Sequence, residues 1–190
     1  KIQDRLRKTI AFVTHDIDEA IKMGDTIALM KDGELVQYAE PATLLAEPKT
    51  RFVRDFVGAD RVLKGLRLLR ARDVMKMPRY TVRVDDSVEN AQHLLETHGR
   101  PWVVAVDEDG RFRGWLERED LEKATDLLGA LTPAVATASP RTPLNEALSM
   151  MLASATGSVA VLDDDERLLG LLSFGSLREI MVTESEEDEG

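Results

Sequence analysis

The chain has 190 residues, 43% of them hydrophobic and 32% charged, which suits one or two small folded domains. Its formal net charge of −10 argues against nucleic-acid binding as a main activity, because phosphates need cationic partners. The absence of cysteine excludes a disulfide framework and a thiolate metal site, and no apolar stretch approaches the ~20 residues that span a bilayer.

Residues 9–13 are apolar or β-branched and lead into Thr14-His15-Asp16, after which Ile17, Ala20 and Ile21 follow at helical spacing. This predicts a buried strand whose polar end reaches a ligand, then a helix. Asp16 or Asp18 is expected to cap that helix, and Gly24 to stop it after Met23. Residues 26–30 read as a strand, Asp32-Gly33 as a tight turn and residues 34–37 as the partner strand. Pro41 opens a further helix through Leu44, Leu45 and Ala46, and a last amphipathic turn sets Phe52, Val53 and Phe56 on one side.

Taken in order, Thr-His-Asp, Asp-Glu-Ala, Met-Lys-Asp-Gly and Gln-x-Ala-x-Pro run through about fifty residues and resemble the end of an ATP-binding cassette (ABC) nucleotide-binding domain. The resemblance implies that His15 is the switch histidine, sensing the γ-phosphate of ATP across the dimer of a complete subunit. The family's Gly-x-x-x-x-Gly-Lys-Ser/Thr phosphate loop, its Leu-Ser-Gly-Gly-Gln signature and its catalytic-glutamate strand do not occur in these residues. The chain by itself is therefore expected not to hydrolyse ATP, and ATP with Mg²⁺ would belong to the complete subunit. It begins at Lys1, just before the switch strand, and reads as the C-terminal piece of a longer protein, with no secretory leader expected from its charged first turn.

Charge is uneven: about −1 over residues 1–57, about +5 over 58–80 and about −14 over 81–190. In the basic stretch Leu63, Leu66 and Leu69 recur at spacing three, as do Arg61, Lys64, Arg67 and Arg70. That predicts an amphipathic connector helix with a cationic edge. The edge reads either as a solvated face or as a contact for anionic lipid headgroups or the acidic domain behind it.

From residue 81 the chain repeats itself at a shift of 56 without a gap. Thr81 aligns with Thr137, Ala91 with Ala147, Val103 with Val159, Asp107 with Asp163, Gly114 with Gly170, Leu116 with Leu172 and Leu121 with Leu177. Each copy predicts a short strand, a helix, a strand, a turn, a strand and a helix. Val88, Ala91, Leu94 and Leu95 mark the first helix face, residues 103–106 a buried strand and Asp107-Glu108-Asp109-Gly110 a turn. Such a copy is marginal alone, and two can share a core.

The pattern is similar to the tandem CBS (Bateman) module, over nearly all of residues 72–182. The expected fold class is thus α/β: a C-terminal ABC fragment (1–57), a basic helical connector (58–80), CBS repeat 1 (81–130), CBS repeat 2 (131–182) and an acidic disordered tail (183–190). Family members that hold adenosine ligands carry Gly-h-h-Thr/Ser-x-x-Asp near the end of each copy, where the hydroxyl meets phosphate and the aspartate the ribose. Here the first copy reads Gly114-Trp115-Leu116-Glu117-Arg118-Glu119-Asp120, and the second Gly170-Leu171-Leu172-Ser173-Phe174-Gly175-Ser176. Each retains one half of the motif, Asp120 in the first and Ser173 in the second. The resemblance makes Asp120, Ser173, Thr81 and Thr137 candidate ligand-binding residues. A carboxylate at Glu117 would repel phosphate. Asp120 also reads as a cap for a helix starting at Leu121, and the two threonines as ordinary strand residues.

Trp102 and Trp115 read as core or interface packing, with purine stacking as the alternative. His93 and His98, five apart, do not share a helix face as a metal pair would, and read as surface residues. The aspartate-rich turns at 107–109 and 163–165 lack a closing glutamate and read as hairpins, so no metal site is expected. The tail from Glu184 to Gly190 reads as solvating, with an ionic-strength response as the alternative.

An ABC fragment followed by a CBS pair resembles the ATP-binding subunits of bacterial importers for glycine betaine, carnitine, choline or proline. The resemblance implies osmoregulated uptake. The CBS pair would gate the ATPase in response to ionic strength or to an adenine nucleotide such as cyclic di-AMP, AMP or ATP. The implied partners are a second copy of the chain, joined through the CBS modules, and the membrane permease subunits, at the cytoplasmic face of the membrane. The other reading is a CBS pair that serves only as a structural dimerisation element, without ligand.

Overall fold

In the computed structural model, which describes residues 9–179, Asp16 opens the regular structure. Its Oδ1 accepts hydrogen bonds from the backbone N–H of Asp18 (2.8 Å) and Glu19 (3.3 Å), capping helix α1 (Ile17–Met23), which Gly24 closes. Strands β1 (Ile27–Lys31) and β2 (Glu34–Ala39) form an antiparallel hairpin. Asp32 (φ 51°) and Gly33 (φ 82°) both occupy the left-handed region, as a two-residue turn of matching twist requires. Helices α2 (Pro41–Ala46) and α3 (Arg51–Val57) follow, and the buried Gln37 ties the hairpin to the loop between them. Its Nε2 donates to the Glu47 carbonyl (3.0 Å) and its Oε1 accepts from the Lys49 N–H (2.9 Å).

Three expectations need correction in this part. Residues 9–13 are not a strand: a strand needs a partner ladder, and among the described residues none pairs with them, so Val13 is 95% exposed. In α3 the seated side chains are Val53 and Val57, one i,i+4 row, while the Phe52 and Phe56 rings meet in the neighbouring row at 5.9 Å. The connector is not one helix but two short ones, α4 (Arg61–Gly65) and α5 (Ala71–Val74), separated by an extended Arg70. Gly65 is a poor helix former, and Leu66 is 3% exposed because it enters a core that a straight helix would not reach. The cationic edge disperses accordingly. Arg61 donates to the carbonyls of Leu45 and Ala46 at the end of α2, and Lys64 donates to the Val57 carbonyl (2.8 Å) and pairs with Asp60.

The chain divides into two compact units at Lys64/Gly65, and the second contains the repeat. Its first copy has β3 (Thr81–Arg83), α6 (Val88–His98), β4 (Trp102–Val106), β5 (Phe112–Glu117) and α7 (Arg118–Leu121). After β6 (Leu131–Thr132), the second copy has β7 (Thr137–Ala138), α8 (Leu144–Ala153), β8 (Ser158–Leu162), β9 (Leu168–Ser173) and a helical stretch at 174–179. Both central strands and both return strands coincide residue for residue at the shift of 56. The turns do so as well. Asp107 Oδ1 accepts from the N–H of Asp109 and Arg111, and Asp163 Oδ1 from those of Asp165 and Arg167, which is what the aspartates are for.

Alternation along each central strand divides its side chains between two cores. Val103 and Ala105 face α6 with Leu95 and Leu116, and Val159 and Val161 face α8 with Met151 and Leu172. Val104, Val106 and Ala160 turn to the opposite side and meet Trp115 between the repeats. The copies also exchange backbone bonds about a pseudo-two-fold. The Phe112 N–H donates to the Glu166 carbonyl, and the Leu168 N–H to the Gly110 carbonyl, both at 3.0 Å. The same symmetry exchanges edge strands. β6, which precedes the second copy, completes the first sheet in the order β3-β4-β5-β6, and Lys76, which precedes the first copy, bridges to Leu171 of β9.

Candidate ligand clefts of the repeat pair

Each half-motif lies where a return strand passes into its helix, next to the edge strand taken from the other copy. Gly114 (φ +148°) permits that approach in the first cleft, since a Cβ there would stand 2.8 Å from the Thr132 carbonyl oxygen. Asp120 lies inside α7, which starts at Arg118 and not at Leu121, so the expected capping role is overturned. Its Oδ2 instead accepts from Thr132 Oγ1 at 3.1 Å, joining the end of one repeat to the edge strand leading into the other. Asp120 therefore offers a carboxylate acceptor, which suits hydroxyl donors and opposes phosphate.

The second cleft differs in chemistry. Ser173 Oγ accepts from the Ser176 N–H (3.3 Å), Ser176 Oγ accepts from the Ser173 N–H (3.0 Å), and Ser176 Oγ donates to the Ser173 carbonyl (2.8 Å). These serines form a reciprocal cap on the helical stretch at 174–179. The position equivalent to Thr132 is Lys76, whose ammonium pairs with Glu179. Gly170 makes room for it: a Cβ there would meet the Met75 side chain at 3.1 Å and the Lys76 carbonyl oxygen at 3.3 Å. Lys76 and the two serines are thus already engaged, and an anionic group would have to take the place of the Glu179 carboxylate at the lysine.

Thr81 and Thr137 are exposed at the starts of β3 and β7. The register aligns Thr81, Val104, Trp115 and Thr132 in one row across the first sheet. Thr81 thus stands three strand spacings, about 14 Å, from the edge that holds Asp120. Thr137, Ala160, Leu171 and Lys76 form the equivalent row. The sheets therefore separate each threonine from the polar group at the far edge of its own sheet. Thr132, Lys76 and Ser176 are the residues that sequence reasoning missed. Carrying the shift of 56 upstream of residue 81, which pairs Lys76 with Thr132, would have found two of them.

The other residues singled out in the sequence are quickly placed. His15 is exposed in the turn leading into α1. Trp115 is 2% exposed and packs edge-on against Trp102 (4.8 Å) and Phe112 (5.5 Å), which is core packing between the repeats. His93 and His98 are exposed on α6, and the His98 ring stacks on Tyr80 at 3.6 Å. Among the described residues no group of His, Asp or Glu side chains is arranged to hold a metal ion, and no helix is long and apolar enough to cross a membrane. The acidic tail 183–190 lies outside the described residues.

Two sheets related by a pseudo-two-fold, with exchanged edge strands and helices on their outer faces, define a tandem α/β repeat pair, and the CBS domain family model matches residues 71–126 and 124–183. The chain belongs to the CBS domain family, as a tandem pair preceded by an α/β segment. Its similarity to curated proteins extends through that segment. It is 36% identical over 174 residues to "Osmoprotectant import ATP-binding protein OsmV" of Salmonella typhimurium, covering 90% of this chain and 46% of that protein. It is 31% identical over 185 residues to "Carnitine transport ATP-binding protein OpuCA" of Listeria monocytogenes, covering 95% and 47%. The chain spans about half the length of these relatives. Among solved structures, Staphylococcus aureus OpuCA superposes with a TM-score of 0.52 at 22% identity, covering 58% of this chain and 97% of that one. CBSX2 in complex with AMP gives 0.53 at 22%, covering 60% and 96%. At such identity these two likenesses speak for the fold.

Proposed function

We propose that this chain is the C-terminal regulatory part of the ATP-binding subunit of an osmoprotectant importer, working with membrane permease subunits at the cytoplasmic face of the membrane. The observation that carries the reading is the continuity of similarity. The carnitine-transport relative matches over 95% of the chain, a span that takes in the switch-like segment around His15 and the hairpin as well as the CBS pair. In this role the complete subunit supplies the phosphate loop, ATP and Mg²⁺, and His15 stands at the γ-phosphate of a dimeric ATPase. The CBS pair biases ATPase closure, with a second copy of the chain as its partner.

The unlike clefts indicate what the module can sense. Carboxylates at Glu117 and Asp120 oppose phosphate at the first half-motif, whereas at the second Lys76 favours an anionic group once that group displaces Glu179. Calorimetric titration of the chain with AMP, ATP and cyclic di-AMP, at low and high salt, tests this. Saturable binding of one nucleotide, weakened by Lys76→Ala, supports a nucleotide-responsive gate. Silence with all three removes nucleotide sensing and leaves an ionic-strength response, to be read as salt-dependent self-association by sedimentation. A particular pair of observations favours the structural reading: Asp120 is engaged by Thr132, and the serines by each other. Self-association that ignores both nucleotide and salt would establish the structural reading and overturn the gate.

A further inference from the structure

The two clefts follow one plan but use different chain segments, and only the second contains the segment that leads into the module. Leu66, Ala71 and Val74 are buried in the core of the second repeat, with Leu69 and Met75 packed against it. The backbone is held there too. The Ala71 N–H donates to the Thr142 carbonyl (2.9 Å), the Arg72 N–H to that of Pro140 (3.1 Å), and the Leu144 N–H to that of Leu69 (3.2 Å). Lys76 exchanges both of its backbone bonds with Leu171, at 3.0 and 2.9 Å. Each of these partners belongs to the second repeat. Fifty-six residues on, the counterpart segment goes the other way: Leu127 and Ala130 lie in the core of the first repeat, and Thr132 pairs with Trp115 of β5.

We infer that the second repeat is the output repeat of the module: it holds residues 66–76, which follow Lys64 and Gly65 in the chain, and its loosening releases them. A bonded amide opens only when the element bonding it opens, so these residues share the local stability of the second repeat. A disturbance of the first repeat frees 127–132 and must cross the shared cluster around Trp115 before it reaches the upstream junction. The two repeats are therefore unequal as regulators, although their folds coincide. The inference rests on the regulatory reading for its biological meaning, but the coupling is measurable apart from transport.

Amide hydrogen exchange on the full chain, with Met151→Ala and Leu95→Ala compared, tests it. These positions are equivalent at the shift of 56, both fully buried, one in each repeat core. Met151→Ala is expected to speed exchange at Ala71, Arg72 and Lys76 at least tenfold and leave β4 protected. Leu95→Ala is expected to speed exchange in β4 and at Leu131 and Thr132, with Ala71, Arg72 and Lys76 within about twofold of the unsubstituted chain. Deprotection of 71–76 by Leu95→Ala to the same degree, or none by Met151→Ala, overturns the inference. Should either variant fail to fold, the unsubstituted chain decides through its exchange in rising sub-denaturing urea. The amides of 71–76 should then open with β8, and opening with β4, or of both repeats in one step, overturns the inference. Exchange as expected alongside salt-indifferent transport would defeat the gating reading and leave the coupling standing.

Discussion

At the residue scale the shift of 56 provides internal controls, because equivalent positions differ in chemistry within one backbone plan. Gly110 (φ 78°) and Glu166 (φ 63°) occupy the same left-handed site in the two hairpin turns. Glycine takes that conformation freely, whereas a side chain costs about 1 kcal/mol there. Gly110→Ala should therefore destabilise the chain by about 1 kcal/mol, and Glu166→Gly should stabilise it by about 0.5 kcal/mol, read from urea denaturation midpoints. A second residue-scale case is the pair Arg83 and Asp85, joined at 2.7 Å at the end of β3. The hydrogen bond from Arg83 holds the Asp85 carboxyl below the usual carboxylate range, and Asp85 raises the guanidinium in return. A depressed carboxylate contributes stability that is present above its unfolded-state pKa and is lost as pH falls through the folded one. Both side chains are solvent-exposed, so screening keeps the contribution small. Arg83→Gln should return the Asp85 titration upward to the ordinary range in carboxyl NMR, and added salt should narrow the difference.

At the element scale the exchanged edge strands depend on glycines that let two backbones approach. Gly114→Ala meets both a Cβ contact of 2.8 Å with the Thr132 carbonyl and a φ of +148°, and should cost about 2–3 kcal/mol and detach β6. Gly170→Ala meets the Met75 Cβ and Cγ at 3.1 Å and the Lys76 carbonyl oxygen at 3.3 Å, looser contacts without an adverse φ, and should cost less. Equal losses in thermal unfolding of the two variants would refute this account of β6. The same elements show where sequence reasoning ended. Alternation and turn chemistry made β4, β5, β8 and β9 legible, with the hairpins between them, because those signals are local. β6 has two residues and no period, and its partner is chosen by packing between the repeats. The connector failed for the opposite reason. Leucines at spacing three satisfy a helical template, yet Leu63 is 53% exposed while Leu66 and Leu69 turn into the second core. Likewise Asp120 satisfied the rule for a cap, while its actual partner, Thr132, is twelve residues away.

At the scale of the whole molecule, a replacement such as His15→Ala in the complete subunit should abolish solute transport while the CBS pair keeps its fold by circular dichroism. Retained transport would remove the switch assignment. His15 here is exposed, and residues 9–13 before it run without a strand partner. In the proposed role its chemistry would depend on the rest of a complete subunit, and the relatives it matches are about twice this length. By itself the sequence determined the repeat, its period and the order of elements within each copy, because these follow from local periodicity, and its motifs carried the resemblance to CBS pairs. Only the tertiary structure decided which segment completes which sheet, which polar groups face one another across a cleft, and which repeat holds the chain leading in. Those choices rest on contacts between residues distant in the chain, where burying Leu66 or placing Thr132 beside Asp120 outweighs any local preference.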